Sequence, residues 1–154
     1  MEKLIHSEQD RLEALQAYRF LGSEHEKLFD DITRLASQIC DTPISLVSLV
    51  EDHRQWFRSK VGLTIDETPR EYSICSHAIQ TPSKPFIVED LTKDARFKDF
   101  PLVTGDPHAS FYAGVPLVDS SGFALDSANC KIVRYTCIDS DIIAFTSCWY
   151  SPFI

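Results

Sequence analysis

Residues 44–50 read Ile-Ser-Leu-Val-Ser-Leu-Val, and no other run constrains the fold as tightly. Apolar side chains occupy odd and even positions alike, so neither face of the extended segment stays polar, and the run is too short for a stable helix. It predicts a central strand that needs cover on both sides. Glu51-Asp52-His53 supplies a turn, and Arg54-Gln55-Trp56-Phe57-Arg58-Ser59-Lys60 the antiparallel return strand. The cover has to come from the flanking sequence.

Two helices precede this hairpin. Ser7 can cap a helix over residues 7–20, with Asp10 at the positive end of its dipole and Leu12 and Leu15 on a thin apolar stripe. Gly22 ends it, and Ser23-Glu24-His25-Glu26 has the form of a capping box for a second helix. In that helix Leu28, Ile32, Leu35, Ala36 and Ile39 recur at helical spacing and predict one continuous buried face, stopped by Thr42-Pro43. Between Gly62 and Ser110 stand Pro69, Pro82, Pro85, Pro101 and Pro107, too many for a regular sheet. Long loops with short elements fit this stretch: a helix at 73–79, a strand at 86–89, and a helical turn or two over 91–97. Loops of that length are usually functional. Residues 111–118 resume an extended run, and Asp119-Ser120-Ser121-Gly122 turns into Phe123-Ala124-Leu125. Helices, hairpin, loop-rich middle and closing hairpin make an α+β pattern, an antiparallel sheet with helices packed on it.

Composition narrows the function. The chain has 154 residues, one domain's worth, and 15 basic against 23 acidic side chains leave a formal charge of −8. That field opposes the phosphate contacts on which nucleic-acid affinity rests, so nucleic acid and anionic membranes are not the expected partners. No run approaches the roughly 18 apolar residues of a membrane span, and no signal peptide is visible. Five scattered cysteines, without a CxxC pair, give neither a disulfide framework nor a zinc site. A cytoplasmic location is expected.

Several separated motifs then arrive in the order of a known family. Phe29-Asp30-Asp31-Ile32-Thr33-Arg34-Leu35-Ala36, Thr42-Pro43-Ile44-Ser45-Leu46-Val47-Ser48-Leu49, Glu67-Thr68-Pro69-Arg70, Asp94-Ala95-Arg96-Phe97 and Phe111-Tyr112-Ala113-Gly114-Val115-Pro116-Leu117 resemble a GAF domain. The kinship is to the bacterial sensory type found in N-terminal regions of sensor histidine kinases and diguanylate cyclases, over about residues 8–125. The resemblance implies a PAS-related sheet of about six antiparallel strands with a ligand cavity between the sheet and the loop-rich middle. Ser110 stands where the subgroup commonly has Arg, which removes a cation from the pocket edge. Residues 126–154 depart from the family pattern, Gly-Thr-Leu-Cys-Val-Ile-Asp and a helix. They read either as a hairpin completing the sheet or as the product of a shifted reading frame. The expected division is thus a sensory domain at 1–125 and an atypical tail at 126–154.

Trp56, Arg70, Arg96, Phe97 and Tyr112 are expected around the cavity, where aromatic walls and a few convergent polar groups make a small-molecule site. For Arg70 and Arg96, ion pairs with the nearby Glu67 and Asp94 are an equal alternative. Cys75 and His77 are candidates for ligand contact or thiol chemistry, but residues two apart lie on different faces of a helix. The five histidines have no metal-ligand spacing. No motif for a hydrolase, a P-loop or a metalloprotease occurs. The chain is therefore expected to be non-enzymatic, with kinase or cyclase chemistry in a separate output domain and no cofactor assigned. The reading is a sensory module for an unknown small molecule, with a homodimer contact through the N-terminal helix. An enzyme of the free methionine-R-sulfoxide reductase type and a purely structural dimerisation module are the alternatives.

Overall fold

The computed structural model describes residues 7–19 and 23–133, with side chains over 7–16 and 27–124. Helix α1 is Glu8–Arg19 and α2 is Ser23–Ile39. Strands β1 (Ser45–Val50) and β2 (Arg54–Val61) form the expected hairpin, followed by β3 (Glu67–Pro69), a 3-10 turn (Arg70–Tyr72) and the short helix α3 (Cys75–Ala78). Then come β4 (Phe86–Val88), α4 (Pro101–Thr104), β5 (Phe111–Val118) and β6 (Ala124–Val133). All pairings are antiparallel, in the order β3-β2-β1-β6-β5-β4. The segment 91–97 forms turns, and the regular helix of this region starts at Pro101, whose fixed φ suits the first helical position.

Every residue of β1 is buried, as its two apolar faces require. One face carries α1 and α2, the other the 3-10 turn, α3, α4 and the loops. A bulge in β2 sets the two environments. Val47 pairs with Ser59 and Ser48 with Phe57, so Arg58 is the extra residue and its neighbours point to opposite sides. Phe57 joins the core on the loop side. Ser59 turns to the helices, donating to Asp30 Oδ1 at 2.6 Å and pairing with the Thr33 hydroxyl.

Helix α1 begins as its sequence suggests: the Asp10 N–H donates to Ser7 Oγ and the Ser7 N–H to Asp10 Oδ2, both at 3.1 Å. The capping-box side chains of Ser23 and Glu26 lie outside the described residues. The face of α2 is a correction. Of the stripe expected in the core, Ala36 is buried, Ile32 is half-buried, and Leu28, Leu35 and Ile39 are 54%, 52% and 59% exposed. The helix turns Thr33 and Ala36 to the sheet instead. A hydroxyl buried at 0% exposure needs partners, and Thr33 finds Ser59 and the Phe29 carbonyl there.

Candidate functional site

The loop-side core builds a pocket from its floor upward. Leu46 on β1, Gln55 and Phe57 on β2, and Tyr112 on β5 form the floor; Ile74 and Cys75 form one wall; Tyr72 and Leu102 form the mouth. Tyr112 is 1% exposed, and Gly114 is what lets it lie flat, since a Cβ there would collide with the phenol. The polar atoms converge on one point. The Gln55 amide donates to Ser48 Oγ and to Cys75 Sγ, both at 2.9 Å, and the Tyr112 hydroxyl lies 3.4 Å from the same sulfur. Gln55 is 4% exposed, so its amide is oriented in a low-dielectric setting where hydrogen bonds carry more weight. Empty space reaches about 250 Å³ out to the open mouth, yet the enclosed part has room for about one water molecule.

Of the residues expected around a cavity, the structure brings Cys75 and Tyr112 together. The Cys75 sulfur is in a disulfide and is not a free thiol. Helix α3 separates Cys75 from His77, as their spacing requires. His77 turns its ring edge to Phe97 at 4.8 Å, with Nδ1 3.4 Å from the Ser73 carbonyl. Phe97, fully buried, centres an aromatic cluster with Phe86 and Phe100 beside the pocket. Arg96 caps that cluster, its guanidinium 4.7 Å from the Phe97 ring centre and 5.4 Å from that of Phe86. It also forks onto Asp94 at 2.9 and 2.6 Å, and this hydrogen bonding holds the Asp94 carboxyl down to about 2.

Two of the seven lie elsewhere. Trp56 is on the opposite face of the sheet, packed with Leu12, Leu15 and Leu49, because it alternates with Gln55 and Phe57 along β2. Arg70 does not pair with Glu67, which bonds Arg54 instead. Arg70 reaches to Glu8 Oε1 at 2.6 Å and donates to the Glu51 carbonyl at 2.9 Å. Glu8 takes a second guanidinium as well, Arg11 Nε and Nη2 at 2.9 and 2.8 Å. The Arg11 hydrogen bonds dominate over burial, which opposes them, and with Arg70 they bring the Glu8 carboxyl down to about 2. Sequence reasoning missed Gln55. Strand parity was the available signal, since Gln55 shares the face of Phe57.

Among the described residues no group of three His, Cys, Asp or Glu is placed to hold a metal ion. No helix there is long and apolar enough to cross a membrane.

A helix-backed antiparallel sheet of this strand order, with a loop-walled pocket on its other face, defines the fold class, and the family comparison names it. The chain belongs to the GAF domain family, whose model matches residues 24–124. Over 109 residues it is 43% identical to a Pseudomonas aeruginosa protein named cyclic di-GMP phosphodiesterase PA2567, covering 71% of this chain and 18% of that one. The chain thus spans about a fifth of the length of that curated relative. Among solved structures, the GAF domain of an Acinetobacter phosphoenolpyruvate-protein phosphotransferase superposes with a TM-score of 0.61 at 11% identity, over 93% of this chain and 87% of that one. A type II free methionine-R-sulfoxide reductase from Thermoplasma acidophilum gives 0.60 at 12% identity, over 92% and 91%. At such identities the likeness is one of fold.

The expectation of a non-enzymatic protein is corrected by the Pseudomonas relative. The Pseudomonas protein is named for an enzymatic activity, the hydrolysis of a cyclic dinucleotide.

Proposed function

We propose that the chain is a sensory domain that binds a small molecule in the pocket over Gln55 and governs cyclic di-GMP hydrolysis in the protein of which it is part. One observation carries this reading: the buried Gln55 amide, the Tyr112 hydroxyl and the Cys75 sulfur converge at the floor of an otherwise apolar pocket. The identity to the Pseudomonas phosphodiesterase supports the choice of output. A ligand larger than water enters only by displacing Tyr72 or Leu102 at the mouth. It then favours the displaced arrangement by its differential affinity, which is all a sensor requires. The test is a chimera of the Pseudomonas protein with this chain in place of its matched segment. Gln55→Leu, which keeps the volume but removes the amide, is expected to change cyclic di-GMP turnover several-fold in cell extract. Equal turnover by the two chimeras would overturn the reading.

A second reading, a dimerising module, has its own observation in the exposed stripe of α2. Leu28, Leu35 and Ile39, with the half-buried Ile32, recur at alternating spacings of four and three, the seam of a helix pair. The N-terminal helix does not offer this face, because Leu15 is 2% exposed against the sheet. A second copy is the occupant in this reading. Leu35→Arg should then shift the elution volume in gel filtration, and an unchanged volume would count against it.

A further inference from the structure

The 3-10 turn Arg70–Tyr72 touches both faces of the molecule. At its end Tyr72 lines the pocket mouth and sets its ring edge-on to Phe100, with centroids 5.7 Å apart. At its start Arg70 holds Glu8, the first residue of α1. The turn is closed by the Ser73 N–H donating to the Arg70 carbonyl at 3.0 Å, and Ser76 Oγ lies 3.4 Å from the same oxygen. Arg70 also ties the turn to the β1–β2 connection, its backbone N–H to the His53 carbonyl at 3.0 Å and its side chain to the Glu51 carbonyl.

The first turn of α1 rests on polar contacts. Its apolar contacts with the sheet begin at Leu12 and centre on Leu15. Before them, Glu8 takes both guanidinium groups, and Arg11, 6% exposed, continues to the Val50 carbonyl at 2.8 Å. One carboxylate is thus shared between the base of the helix and the mouth of the pocket. Removing either cation changes how the other is held, so the three groups act as a unit.

We propose that the 3-10 turn is a lever: displacement of Tyr72 from the pocket mouth draws Arg70 off Glu8 and loosens the first turn of α1. The signal leaving the pocket is the release of a helix terminus. Its input rests on the reading of the pocket as a ligand site; the coupling itself does not, because a side-chain deletion at the mouth can stand in for a ligand. Coupling between the two ends is reciprocal, so freeing Glu8 also loosens the pocket wall.

Hydrogen–deuterium exchange on the whole chain tests this without any ligand. Tyr72→Ala is expected to speed exchange of the Arg11 and Leu12 amides about fivefold or more, with the α2 amides unchanged. Glu8→Gln is expected to speed exchange at His77 and Ala78, whose N–H groups bond back to Ile74. Faster exchange confined to the pocket loops in Tyr72→Ala would overturn the lever. If Tyr72→Ala speeds exchange everywhere, the double variant Glu8→Gln/Tyr72→Ala decides. Effects on Arg11 and Leu12 that fall short of the sum support coupling, and effects that add overturn it. A lever that holds while the Gln55→Leu chimera keeps its turnover would leave the coupling standing and remove the ligand site.

Discussion

The two faces of the sheet are covered in opposite ways. Irregular chain covers one, and beneath it lie Leu46, Val50, Leu91, Phe97 and Tyr112, all at 1% exposure or less, with aromatic rings meeting edge to face. Regular helices cover the other, yet among the described residues α1 contributes one fully buried leucine, and α2 meets the sheet through a threonine and an alanine. The helices keep a large apolar stripe facing away. Regular secondary structure therefore does not mark where this molecule concentrates its packing. The segment with five prolines holds the better core, because short elements can each drop one large side chain into it.

Substitutions can break or sharpen that contrast. Phe97→Ala on the loop face should cost about 3–5 kcal/mol, the range for emptying a fully buried aromatic site, read as a lower urea midpoint. Gly114→Ala should come next, at about 1–3 kcal/mol, since the new methyl must push the buried Tyr112 phenol from its place over the glycine. Circular dichroism melts would register it. A melting temperature equal to wild type would show the loop-side core to be looser than its burial implies.

Glu8→Gln on the helix face should cost about 1 kcal/mol, because the carboxylate is half-exposed and water screens its two cations. The folded carboxyl titrates near 2, below its ordinary value of 4.5, so the stabilisation is complete above about pH 4.5 and is lost as pH falls toward 2. The gap in urea midpoint between wild type and Glu8→Gln should be constant near neutrality and close through that window. A gap that instead grew on acidification would break the assignment. The smallest effect belongs to Leu35→Ala, expected within about 0.5 kcal/mol of wild type. A loss of several kcal/mol there would mean that α2 buries its stripe in solution.

Much of the fold was legible because its causes are local. The doubly apolar run 44–50 is β1, the turn Glu51–His53 closes the hairpin, Ser7 and Asp10 cap α1, and the extended run 111–118 is β5. The site was legible in part. Tyr112 came from a recognised motif and Cys75 from its place two residues before His77, whereas Gln55, between Arg54 and Trp56, was passed over. Arg70 was read with Glu67, its neighbour in sequence, and the structure gives it Glu8, sixty-two positions away.

The sequence by itself determined the antiparallel α+β architecture, the GAF kinship and the place of the loop-rich middle, since periodicity and turn chemistry act over a few residues. Tertiary structure alone decided which stripe of α2 meets the sheet, which side of β2 each neighbour of Arg58 faces, and which carboxylate Arg70 finds. In each case the choice is made by partners distant in sequence: a buried hydroxyl seeking Ser59, an extra residue reversing strand parity, and a guanidinium satisfied by the first residue of a helix.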